Sequence, residues 1–118
     1  MNETIPGVYR LDAPGHLRIP LVLDSPHSGS DYPESFDTTV PLTVLRRAED
    51  MYVDDLFADG PELGAPLVSA LYPRSFIDPN RDVRDLDRDL LTEPWPDPVA
   101  PTEKARLGHG LIWRVCPP

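Results

Sequence analysis

An α/β fold with a parallel pair of strands is what the order of apolar segments predicts for this 118-residue chain. Two short apolar runs, residues 19–24 and 66–72, read as buried strands. Between them, from Pro41 to about Ala58, apolar side chains recur at helical spacing. Sixteen prolines, many of them between residues 94 and 118, argue against a mostly helical architecture and for turns and extended segments. The length fits one small domain with a modest core.

The elements follow in chain order. Gly7-Val8-Tyr9-Arg10-Leu11 reads as a short edge strand. Ile19-Pro20-Leu21-Val22-Leu23-Asp24 is an apolar run that tolerates Pro20 because it lies near the start. The loop Ser25-Pro26-His27-Ser28-Gly29-Ser30 leaves its C-terminal end, where open α/β sheets place ligands. Leu42, Leu45, Ala48, Tyr52 and Leu56 form one helical stripe, with Thr39 as N-cap and Pro41 in the first turn. Gly60-Pro61 is expected to end that helix, and Asp50 and Asp54 to project together from its other side. Residues 66–72 give the second buried strand and Ser75-Phe76-Ile77 a short third. Residues 81–89 alternate charges and read as solvated, 92–104 as a proline-rich loop, and 111–115 as the start of a further strand. A strand followed by only three more residues suggests a truncated domain.

Charge and cysteine usage narrow the function classes. Eleven basic and 20 acidic side chains give a net charge of −9, which disfavours nucleic acid and anionic membrane surfaces as partners. A small anionic substrate stays compatible, because one or two local arginines can outweigh a diffuse negative field. The single cysteine, Cys116, allows no internal disulfide and suits a reducing compartment. With no signal-peptide pattern and no run near the length of a membrane span, a soluble, cytoplasmic protein is expected.

Two polar clusters follow the two buried runs. His27, flanked by proline and glycine, is placed to ligate a metal or simply to hydrogen-bond within its loop. Asp50 and Asp54 are carboxylates that could complete a divalent-metal site, or merely a solvated helix face. In Pro73-Arg74-Ser75-Phe76-Ile77-Asp78-Pro79-Asn80-Arg81, two arginines suit an anionic substrate, one gripping a carboxylate and one facing a developing oxyanion, with Asp78 orienting either. The plain alternative is a surface salt-bridge network. Gly108-His109-Gly110 reads as a tight turn, not a phosphate cradle.

Taken together, Leu23 through Gly29, Glu49 through Phe57, Tyr72 through Arg81 and Gly110 through Arg114 resemble the N-formylglutamate deformylase (N-formylglutamate amidohydrolase) family, in family order and across nearly the whole chain. The pairing of S-P-H-S-G with P-R-S-F-I-D-P-N-R is more specific than either motif alone. The resemblance implies a phosphorylase/hydrolase-like α/β fold, a mixed sheet flanked by helices, similar to zinc carboxypeptidases and aspartoacylase. It implies Zn2+ held by His27 and a carboxylate, Asp50, although the H-x-x-E spacing is absent because Ser30 stands three after His27. It further implies Arg74 polarising the scissile carbonyl, and Asn80 and Arg81 binding the substrate carboxylate.

The expected reaction is hydrolysis of N-formyl-L-glutamate to formate and glutamate, a step of histidine degradation. Family members are longer, and their second metal histidine and general-base glutamate come from later in the chain, so residues 1–118 are expected to be the N-terminal part of a single amidohydrolase domain, inactive alone. Two other functions fit the same residues: a related zinc amidohydrolase acting on another N-acyl amino acid, and a non-catalytic remnant that keeps the carboxylate pocket.

Overall fold

The computed structural model describes residues 2–116 and contains one four-stranded mixed sheet bordered by short helices. Strands β1 (Glu3–Ile5), β2 (Tyr9–Asp12), β3 (Leu23–Ser25) and β4 (Leu67–Ala70) lie in the order β1-β2-β4-β3. β1 and β2 form a hairpin in which Ile5 faces Tyr9. Its turn closes through the Val8 N–H donating to the Ile5 carbonyl at 2.9 Å, and Gly7 takes the positive φ of 73° that this turn needs. β2 runs antiparallel to β4, from Tyr9 opposite Ala70 to Asp12 opposite Leu67. β3 runs parallel to β4, with Leu23 against Leu67 and Ser25 against Ser69. The expected parallel pair is therefore present, and its two strands end side by side.

Several expected elements differ. The segment read as an edge strand is β2, an inner strand, because β1 covers its outer side. Of residues 19–24 only Leu23 and Asp24 enter β3; Ile19, Leu21 and Val22 are exposed and pair with nothing in the sheet. Ser75-Phe76-Ile77 is a turn, not a strand, since the N–H groups of Phe76 and Ile77 both donate to the Pro73 carbonyl. The stretch 111–115 forms only an isolated bridge between His109 and Trp113. The proline-rich loop ends two residues early, where helix α4 (Glu103–Arg106) begins.

The largest correction concerns the helix expected over 41–58. It is broken into α1 (Leu42–Leu45), continued by a 3-10 turn over Arg46–Ala48, and α2 (Val53–Leu56). Between them Glu49 is extended, with φ −74° and ψ 138°, and Tyr52 adopts a left-handed conformation at φ 65°, which an L side chain rarely takes. The cause is tertiary: the Asp50 N–H donates to the His27 carbonyl at 2.9 Å, drawing the chain out of the helix toward the loop after β3. Thr39 does not cap; Pro41 precedes the first helical residue with no side-chain cap. Gly60-Pro61 opens a further helix, α3 (Gly60–Leu63), with proline in its first turn, and Gly64 at φ 97° ends it.

The buried apolar side chains are Leu45, Ala48, Ala65, Leu67, Leu86 and Ala105. An aromatic row (Tyr32, Phe36, Phe76 and Tyr72, with neighbouring centroids 5.2–6.4 Å apart) packs the loop after β3 onto the turn after β4. Nor is the charged stretch 81–89 wholly solvated. Asp85 is buried and accepts hydrogen bonds from the Thr102 N–H at 2.7 Å and hydroxyl at 3.0 Å, while its own carbonyl accepts from the Leu111 N–H at 2.8 Å. It ties the segment around α4 back toward the sheet.

Candidate functional site

Because β3 and β4 are parallel, the chain leaves both at the same end of the sheet, and the two polar clusters meet there. Close approach is enforced by Gly29, where a Cβ would come within 2.6 Å of the Leu71 carbonyl oxygen. The Asp31 N–H donates to that same carbonyl at 2.9 Å. Ser25, fully buried, shares a 2.7 Å hydrogen bond with Ser28 and shapes the turn that carries His27 inward.

Asp78 is the centre of the cluster and has no exposed surface. Its Oδ1 accepts from His27 Nε2 at 2.8 Å and from the Asn80 backbone N–H at 3.0 Å. Its Oδ2 accepts from Trp113 Nε1 at 3.2 Å and from Arg74 Nη2 at 3.4 Å, and Arg81 Nη2 lies 3.8 Å away. Burial by itself would raise the pKa of this carboxyl; the hydrogen bonds from His27 and Asn80 and the charges of His27 and Arg81 outweigh it and hold the group down at about 2. A carboxylate depressed in the folded chain contributes stability that is complete above its unfolded pKa near 3.8 and fades as pH falls through about 2. The contribution is on the order of 2 kcal/mol. In urea titrations, the gap in stability between the wild-type chain and Asp78→Asn should therefore be widest above pH 4 and narrow toward pH 2. Asp82, also held at about 2 by its hydrogen bonds from Arg84, is common to both proteins and cancels. A gap independent of pH would show that Asp78 is not ionised in the fold.

The ionised Asp78 fixes the imidazole. In its neutral form, with the hydrogen on Nε2, the ring of His27 would turn the lone pair of Nδ1 toward Asp50, whose Oδ2 is 3.3 Å away. A lone pair facing a carboxylate oxygen at that distance needs a proton or a cation between them. Two ligand atoms of a tetrahedral zinc stand about 3.3–3.5 Å apart, so the pair has the spacing of two positions of such a site, and Asp78 holds the other ring nitrogen as an outer carboxylate would hold that of a ligating imidazole. Among the described residues no group of three or more His, Cys, Asp or Glu side chains is placed to hold a metal. Arg74 adjoins the pair, its Nη1 3.6 Å from Asp50 Oδ2.

The structure thus brings together His27, Asp50, Arg74, Asp78 and Arg81. Asn80 joins by its backbone; its side chain is exposed and makes no hydrogen bond among the described residues. Asp54 is not part of the cluster: the break before α2 turns it to a different hollow, shared with Ser28, Ser30 and Glu49. Trp113 was not foreseen. It donates to Asp78, lies under the Arg74 guanidinium at 4.9 Å and meets the His109 ring edge-on at 4.6 Å. His109 in turn accepts from Arg81 Nε through its carbonyl at 3.0 Å. Nothing in the local sequence marks either as a neighbour of residues some thirty positions earlier.

The sequence model of the N-formylglutamate amidohydrolase family matches residues 19–117. The crystal structure of N-formylglutamate amidohydrolase from Ralstonia eutropha JMP134 is similar, with 48% sequence identity and a TM-score of 0.86 over 91% of this chain. The present chain spans 38% of that one. No curated protein matches significantly. With a family match over most of its length and a cluster built from the segments that carry the resemblance, this chain belongs to the N-formylglutamate amidohydrolase family.

Proposed function

We propose that the cluster at the ends of β3 and β4 is the part of an amide-hydrolysing site that cleaves N-formyl-L-glutamate, with Zn2+ held through His27 Nδ1 and Asp50. The observation that carries this reading is the 3.3 Å approach of these two donors while Asp78 takes the other ring nitrogen. A bound zinc would supply Lewis acidity, polarising the formyl carbonyl and making water nucleophilic near neutral pH. Arg74, next to Asp50, faces the carbonyl oxygen as it gains charge; Arg81, with Asn80, holds the substrate carboxylate. Asp78 keeps the imidazole and both guanidinium groups in place, so little reorganisation is needed as the charge develops. In balance, water adds to the formyl carbon, the C–N bond breaks, and formate and the amine of glutamate result. A place in histidine degradation, a cytoplasmic setting and a phosphorylase/hydrolase-like fold belong to the same proposal; among the described residues no helix is long and apolar enough to cross a membrane.

Calorimetric titration with Zn2+ tests the metal half: the chain binds it, and His27→Ala weakens binding by about 100-fold or more. Unchanged affinity in that variant overturns the assignment. Formate release from N-formyl-L-glutamate, measured on a full-length family chain carrying these residues, tests the rest, with Arg81→Ala raising KM and Arg74→Ala lowering kcat by about 100-fold.

A further inference from the structure

The two arginines of the cluster are held in different ways. Arg81 commits its donors to oxygens: Nε donates to the His109 carbonyl at 3.0 Å and Nη1 to the Asn80 carbonyl at 2.9 Å, with Asp78 Oδ2 3.8 Å from Nη2. Arg74 makes one long hydrogen bond, from Nη2 to Asp78 at 3.4 Å, and its Nη1 lies 3.6 Å from Asp50. Its Nε, shut off from solvent, has no hydrogen-bond partner among the described residues. What lies against this guanidinium is the Trp113 ring, whose centroid is 4.9 Å from Arg74 Cζ. The indole is itself anchored. Its Nε1 donates to Asp78 at 3.2 Å, the His109 ring meets it edge-on at 4.6 Å, and the turn that carries both is closed by the Arg114 N–H donating to the Gly108 carbonyl at 2.9 Å.

We infer that Trp113 is a positioning residue for Arg74, fixing its guanidinium without occupying the N–H groups that a developing oxyanion needs. The inference rests on the proposed role of Arg74 toward the carbonyl oxygen and extends it. A carboxylate that locked Arg74 by paired hydrogen bonds would take up its donors and offset its charge. An aromatic face attracts the same cation through its quadrupole and leaves the N–H groups in the guanidinium plane free. With the Arg74 side chain only 17% exposed, little water competes for that contact. The Trp113 N–H on Asp78 fixes the tilt of the ring. One buried carboxylate therefore sets the imidazole directly, and the guanidinium both directly and through the indole.

Side-chain NMR of the full 118-residue chain tests the contact itself. The Arg74 Nε–H resonance should carry an upfield ring-current shift in the wild-type chain, keep a smaller one in Trp113→Phe and lose it in Trp113→Leu. Kinetics of N-formyl-L-glutamate hydrolysis, on a full-length family chain carrying these residues, test the role. Trp113→Leu should lower kcat about tenfold and leave KM within about twofold, and Trp113→Phe, which keeps a ring face and loses the N–H, should restore most of the rate. Should Trp113→Leu not fold, Trp113→Met, which also lacks an aromatic face, takes its place. Equal losses in the Leu and Phe variants overturn the inference, because the hydrogen bond to Asp78 would then be the contact that matters. A loss in Arg74→Ala that Trp113→Leu does not share overturns the inference alone. If Arg74→Ala keeps the wild-type kcat, the proposed role of Arg74 falls and this inference with it.

Discussion

Alanine in place of Asp78 will destabilise the chain by about 3–5 kcal/mol, the cost of breaking a buried ion pair from one side. The carboxylate accepts from His27, the Asn80 backbone, Trp113 and Arg74, and stands near Arg81. Its removal leaves two guanidinium groups, an indole N–H and an imidazole around a void, with the carboxylate of Asp50 reaching only Arg74 and His27. Like charges at Arg74 and Arg81 would then repel, and the turn after β4 would loosen. Urea unfolding at pH 7 measures the effect. A loss below about 1 kcal/mol would mean that water replaces the carboxylate and that the cluster is open, not buried. In the same variant Zn2+ affinity should drop about 10–100-fold, because the imidazole loses the partner that fixes its orientation.

Gly29→Ala is the second large effect. The added methyl would meet the carbonyl oxygens of Leu71 and Tyr72, which are backbone atoms at the end of a paired strand and cannot swing away. The loop after β3 must then lift off β4, stretching the hydrogen bond from Asp31 to Leu71 and moving His27 away from Asp78. A cost of about 2–4 kcal/mol is expected from overpacking of this kind, with Zn2+ binding weakened in parallel. Ser28→Ala, one residue earlier, removes one hydrogen bond to Ser25 and should cost only about 1 kcal/mol. Thermal unfolding of the two variants side by side checks the prediction; equal shifts would remove steric exclusion at Gly29 as the explanation.

The parallel pair and the polar groups beyond it were legible in the sequence because each feature is local. Leu67 and its neighbours form an apolar run, and His27, Arg74, Asp78 and Arg81 sit just past strand ends. The break in the helix was not legible. Apolar spacing continues through Glu49–Tyr52, but the hydrogen bond from Asp50 to His27 overrides it, and no pattern within residues 41–58 encodes a partner in another loop. That break is what sets Asp50, and not Asp54, beside the imidazole. The alternating charges of 81–89 hid Asp85, whose burial depends on Thr102 folding back over it. Trp113 and His109 escaped for the same reason: their surroundings come from α4 and the turn after it, which approach Arg74 and Arg81 only in three dimensions.

The 51 positions between His27 and Asp78 also order events during synthesis. A ribosome elongating at about 5–20 residues per second makes the histidine roughly 3–10 s before the aspartate. For most of that interval β4, residues 67–70, has not been made, and until residue 78 is added the nascent segment carries an imidazole without the carboxylate that holds its ring. A growing chain that ends just before residue 78 holds both His27 and Asp50, but it lacks the carboxylate that fixes the imidazole ring.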